Sequence, residues 1–205
     1  MASKIGIMID PGHYKGYNTG YYKSYAEGTK MQILAKYLKA ELKKYGVFRV
    51  YRTKYSAATN LDLSARGKKA IEKKCDAFIS LHSDAASASA CGITAIRSLK
   101  RANSDALAKK IGNAVAKTMK AINGVSYFRG VITRKGNNGD YYGVIRSSVT
   151  STDVKYSFII EHGFHTNKKE CATLNNNENL KKIAKAEAKA IYEYFVETGA
   201  VKSKK

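Results

Sequence analysis

Short apolar runs that end at turns, alternating with segments whose apolar residues recur every three or four positions, constrain this chain more than any other feature. Lys4 to Ile9 is such a run and stops at Asp10-Pro11-Gly12; Val47 to Tyr51, Ala77 to Leu81, Ile93 to Ser98 and Lys155 to Glu161 are others. Each is short enough, and rich enough in branched or aromatic residues, to predict a buried strand. Between 28 and 45, Leu34, Tyr37, Leu38, Leu42 and Tyr45 keep helical spacing until Gly46 closes the segment. Residues 61–74 predict a second helix, Leu107 to Ile122 carries the cleanest helical stripe, and Leu180 to Phe195 marks a last helix that stops before Gly199. Strands alternating with helices predict an α/β fold: a mostly parallel twisted sheet of about six strands with helices packed on both faces. Ser83 to Cys91, small and polar, predicts an exposed loop, and the Gly- and Tyr-rich stretch from Gly124 to Asp153 yields no assignment.

At 205 residues the chain has the size of one domain, expected over 1–198, with 199–205 as a basic, flexible tail. No apolar run approaches a membrane span, and Ile5 to Ile9 is too short for the core of a secretion signal. The expectation is a chain made in the cytosol without a cleavable signal. Cys75, Cys91 and Cys171 form no Cys-x-x-Cys, so neither a disulfide framework nor a thiolate metal site is indicated, and free thiols fit a reducing compartment. Thirty-seven Lys and Arg against 16 Asp and Glu leave a net charge of +21. Such a field attracts polyanions: nucleic acid, anionic membrane, or the anionic polymers of a bacterial wall.

In open α/β sheets, functional groups collect on loops at the carboxyl ends of strands. His13 follows the first predicted strand, His82 the third, and Glu161 ends the strand that starts at Lys155. Glu27 lies in the loop after the first strand and opens the first helix. Two imidazoles and a carboxylate can hold Zn²⁺ with a fourth position left for water, which is the pattern of a catalytic zinc site. A second carboxylate can then carry a proton to a leaving amine. A spacing of 14, 55 and 79 residues is no compact motif, however, and a histidine at a strand end is commonly structural.

The local contexts add what spacing lacks. Asp10-Pro11-Gly12-His13, Glu27, Arg66 with Ala70 four residues on, Ser80-Leu81-His82, and Glu161-His162-Gly163-Phe164-His165-Thr166-Asn167 occur in that order. This ordered set resembles the zinc-dependent N-acetylmuramoyl-L-alanine amidases of bacterial autolysins, sporulation wall hydrolases and phage endolysins, from Ile5 to about Phe195. The resemblance implies one Zn²⁺ on His13, Glu27 and His82, with Glu161 as the catalytic glutamate. It implies hydrolysis of the amide between the lactyl group of N-acetylmuramic acid and L-alanine in peptidoglycan. Without a leader and with free thiols, a phage-type endolysin acting on the bacterial wall is the expected setting. The +21 charge would grip wall anions in place of a separate binding module. Alternatives are a zinc peptidase cutting elsewhere in the stem peptide and a basic polyanion-binding module. No nucleic-acid-binding signature supports a nucleic-acid partner.

Three places depart from the family pattern: Tyr14-Lys15 where glycines are usual, Ser83-Asp84 where Ala-Asn is common, and Ile71 where Asn often stands. Several side chains have two readings. Asp10 either orients His13 or caps the turn. Glu27 has a rival reading as an ordinary first-turn carboxylate of a helix. His162 should face away from Glu161, since neighbours in a strand point to opposite sides. His165 is close enough to the centre to compete as a ligand. The tyrosine pairs 21–22 and 141–142 suit sugar stacking or ordinary packing.

Overall fold

The computed structural model describes residues 4–202. In chain order the elements are β1 (Ile5–Pro11), α1 (Glu27–Lys44), β2 (Phe48–Arg52), α2 (Leu63–Glu72), β3 (Ala77–Asp84), β4 (Ile93–Arg97) and α3 (Ser104–Asn123). There follow β5 (Phe128–Ile132), β6 (Lys135–Gly136), β7 (Gly139–Asp140), α4 (Gly143–Ser148), β8 (Tyr156–Phe164), α5 (Lys168–Asn175) and α6 (Asn177–Glu197).

The main sheet has six strands in the order β2-β1-β3-β8-β4-β5. Neighbours from β2 through β8 run parallel; β4 is antiparallel to β8, and β5 is parallel to β4. The strand order reverses at β1, which has β2 on one side and β3 on the other. Such a reversal splays the connections leaving the strand ends to opposite sides and opens a crevice between them.

Alternation along the strands sorts residues into two buried layers. Ile7 and Ile9, Ile79 and Leu81, and Phe158 and Ile160 pack with Leu34 and Leu38 of α1, Val115 of α3 and Ile191 of α6. Met8, Phe78 and Ile159 point the other way, onto Ala70 of α2 and Val144 and Ile145 of α4. Both faces are covered, so the central strands read as unbroken apolar runs rather than alternating ones. The stripe on α3 ends where Gly124 takes a left-handed φ of +76° and its N–H bonds back to Lys120, a conformation that glycine adopts without strain.

The stretch from Gly124 to Asp153 resolves into β5, the short hairpin β6–β7 and α4. Its elements are two to six residues long, too short to leave a periodic signature. β3 extends through Asp84, so His82 lies within the strand and the loop starts later than expected. Of the expected tail, Val201 donates its N–H to the Phe195 carbonyl and packs on the core, while 203–205 lie outside the described residues. Among the described residues no helix is long and apolar enough to cross a membrane.

Candidate metal centre

Arg66 lines the floor of the crevice and is held from behind by one carboxylate. Asp10, wholly buried near the end of β1, accepts hydrogen bonds from Arg66 Nε (2.8 Å) and Thr53 Oγ1 (2.6 Å) at Oδ1. Its Oδ2 accepts from Arg66 Nη2 (2.6 Å) and Ser80 Oγ (2.6 Å). Burial pushes the Asp10 carboxyl up, but the charge and bonds of Arg66, with those of Ser80 and Thr53, outweigh it and hold the group below its usual 3.8. Asp10 therefore does neither thing read from the sequence. It shares a face with Met8, toward α2, so its carboxylate meets Arg66, and the turn amide of Gly12 bonds the Leu81 carbonyl instead.

Above this floor, the chain turns sharply to carry His13 toward His82. A Cβ on Gly12 would sit 2.5–2.8 Å from ring atoms of His82, so only glycine lets the two segments approach this closely. His13 itself has a φ of +51°, an uncommon conformation for a residue with a side chain, and its ring stacks on Tyr17 with centroids 4.5 Å apart. The His13 and His82 rings meet edge to face at 4.9 Å.

Glu27 lies between them. It is the first residue of α1, almost fully buried, with its N–H bonded to the Asn18 carbonyl. Oε1 lies 2.9 Å from His82 Nδ1 and accepts from the Ser83 amide at 3.1 Å. Oε2 accepts from Asn18 Nδ2 at 2.7 Å and lies 3.5 Å from His13 Nε2. Burial would raise the Glu27 carboxyl, yet the bond and charge of His82, the charge of His13 and the bond from Asn18 take it to about 2. Burial, aided by the charges of His82, Arg66 and Lys54 and opposed by Glu27, takes His13 down to about 4. At neutral pH Glu27 is thus anionic and His13 neutral, the forms that offer lone pairs to a cation. One donor atom each from His13, Glu27 and His82 falls within 4.8 Å of the others. Glu27 thus both opens a helix and lies in this cluster.

Glu161 faces the same crevice. On β8 it is the register partner of His82, and it shares a face with Ile159, toward α4. It is buried, and its Oε2 has no hydrogen-bond partner among the described residues. Burial first, then the charges of Glu27 and Asp84, push its carboxyl well above the usual 4.5. The cleft encloses about 340 Å³, and Leu63, Tyr142, Gly143 and Val144 contribute to its wall.

The remaining histidines lie on different sides of the sheet, His162 within β8 and His165 in the turn after it. His162 points to the opposite face, as expected, and its Nε2 lies 3.1 Å from Glu187 Oε1 of α6. Its Nδ1 lies 3.1 Å from the carbonyls of both His82 and Ile160. His165 lines the cleft but lies outside the three-residue cluster. Tyr142 lines the cleft, Tyr22 packs on the core, and Tyr21 and Tyr141 are exposed. Sequence reading misses Asn18 and the α4 wall: an asparagine in a turn is common, and α4 has no periodic stripe.

The sequence signature of the family described as N-acetylmuramoyl-L-alanine amidase matches residues 7–193. The chain belongs to this family. It is an amide hydrolase, and peptidoglycan is its substrate. A search of curated protein sequences finds no match. Among solved structures the amidase resembles the catalytic domain of CwlV, an N-acetylmuramoyl-L-alanine amidase from Bacillus (Paenibacillus) polymyxa var. colistinus. The two are 26% identical over 93% of this chain and 98% of that one, with a TM-score of 0.77. AmiC2 of Nostoc punctiforme shares the fold at 21% identity over 95% of this chain and 99% of that one, with a TM-score of 0.76. The amidase from Clostridium difficile 630 does so at 22% identity over 95% and 98%, with a TM-score of 0.74.

Proposed function

We propose that this amidase holds one Zn²⁺ on His13, Glu27 and His82 and uses Glu161 to move the proton that lactyl–alanine hydrolysis requires. The convergence of the three donor atoms within 4.8 Å, with Glu161 opposite His82 on the next strand, carries the reading. The donor set fits the ion: two imidazole nitrogens and one carboxylate oxygen suit zinc and leave a coordination position for a group from outside the chain. The buried His82 Nε2 has no hydrogen-bond partner among the described residues, so its capacity to donate a lone pair is unused there. When bound, the ion supplies Lewis acidity that activates water and polarises the amide carbonyl.

The chain's own groups supply the rest. Glu161, with a free Oε2 and a raised affinity for protons, accepts the proton of the attacking water and returns it to the alanine nitrogen. An amine leaves only when protonated, which is why the carboxyl must reach both sides of the scissile bond. Asp10 and Arg66 neutralise one another beneath the cluster and keep the floor fixed. The catalytic unit on this reading spans 1–198.

Metal analysis and product identification test the proposal together. The purified protein should carry one zinc per chain, and digestion of peptidoglycan should free L-alanine amino termini while leaving the glycan intact. A new amino terminus elsewhere in the stem peptide would indicate a peptidase instead. Two narrower readings accompany this one. The +21 charge supports binding to anionic wall polymers, so retention on cell walls should fall as salt rises and as those polymers are stripped away. The three free thiols support a phage-type endolysin made in a reducing cytosol.

A further inference from the structure

His165 lies outside the ion-binding cluster, yet its orientation is fixed. It is buried in the turn after β8, with Nδ1 3.1 Å from the Ser83 carbonyl and 3.0 Å from Ser83 Oγ. A carbonyl oxygen only accepts, so Nδ1 carries the hydrogen, and the neutral ring is left with a bare Nε2. Ser83 Oγ lies 2.7 Å from the hydroxyl of Tyr25, whose wholly buried ring stacks on the imidazole at 5.8 Å and 18°. Tyr25, Ser83 and the strand end behind them thus fix both the tilt of the ring and its tautomer. Nε2 has no hydrogen-bond partner among the described residues, and the ring lines the same cleft as Glu27, His82 and Glu161.

Water reaches this acceptor in the open cleft, but a bound molecule that displaces the water leaves it unsatisfied unless that molecule brings a donor. A peptide brings many, because each of its amides offers one N–H. We propose that His165 is a substrate-binding residue whose Nε2 accepts a hydrogen bond from a peptide N–H of the stem peptide, beyond the bond that is cut. This rests on the cleft being the substrate site. The contact aligns the peptide arm and leaves the chemistry to Glu161 and the ion-binding cluster. The Ser83 amide also bonds Glu27, so one residue orients both the substrate acceptor and a member of the cluster.

Kinetics on muramoyl-peptide analogues, each with one peptide N–H beyond the scissile bond replaced by an ester oxygen, test the proposal. One replacement should raise KM about tenfold in the wild type, the effect of one lost hydrogen bond, with kcat within about twofold. The same replacement should have no further effect in His165→Asn, which keeps a donor toward Ser83 and lacks the second ring nitrogen. Zinc content should match the wild type in this variant. His165→Phe, which keeps the stack on Tyr25, gives the comparison a second route if the first variant folds poorly. Should no ester raise KM in the wild type, or should both variants stay as sensitive as the wild type, the contact does not exist. Absence of turnover on the unmodified muramoyl-peptide would instead refute the cleft as the substrate site.

Discussion

His82 and Glu161 stand opposite one another in the register of β3 and β8, on the face of the sheet that carries Asp10 and Ser80. The register slips only beyond this pair, between His82 and Asp84. Main-chain pairing, rather than loop conformation, therefore sets the distance between a proposed ligand and the proposed proton carrier. That relationship allows the two roles to be separated by mutation.

Glu161→Gln keeps the size of the side chain and removes its proton chemistry. Turnover on peptidoglycan should fall about 10²–10⁴-fold, while zinc content measured by elemental analysis stays at the wild-type level. Loss of zinc along with turnover would place Glu161 among the ligands.

Asn18 ties Glu27 down twice, through its side-chain amide and its carbonyl, from a backbone φ of +54°. Asn18→Gly keeps that conformation without strain and deletes only the amide. Chelator competition should show zinc affinity weakened by about 10–100-fold, as is typical when a hydrogen-bond partner of a ligand is removed. The thermal midpoint of the metal-free protein should barely move.

Arg66→Met leaves Asp10 buried without its cation. Denaturant unfolding should show a loss of about 3–5 kcal/mol, and adding Asp10→Leu should recover most of it, since two apolar groups leave no charge stranded. A single variant as stable as the wild type would mean the pair does not hold the floor.

Stability should also depend on pH through α6. Burial disfavours a charged His162, but the charge and bond of Glu187, with the two carbonyls, outweigh it and raise the ring above its usual 6.5. A raised pKa in the folded state stabilises most fully below 6.5 and loses that contribution as pH rises through the folded value. Wild type minus His162→Asn, followed by denaturant midpoints from pH 5.5 upward, should therefore shrink as the solution becomes more alkaline. A difference that is flat with pH would show that the pair does not titrate with folding.

Much of the site is legible in the amino-acid sequence, for a definite reason. His13, His82 and Glu161 each follow or end an apolar run, and strand ends collect on one edge of a parallel sheet. Parity alone assigns His162 to the opposite face, and its contact with Glu187 bears that out. Glu27 rests on the family resemblance, because a carboxylate at the start of a helix looks ordinary. Asp10 is misread because its partner Arg66 is 56 residues away, and no local pattern points across such a separation. The direction of β4 and the existence of β5 are equally hidden, since parallel and antiparallel neighbours place the same demands on short apolar runs.

The strand order sets β1, which leads to His13, beside β3, which carries His82, while Tyr142 in the cleft wall comes from a distant stretch of chain after β5. The proposed ligands and Glu161 thus come from other stretches of chain than Tyr142, Gly143 and Val144. Insertions or exchanges between Ile132 and Tyr142 should therefore reshape the cleft wall without displacing His13, Glu27, His82 or Glu161.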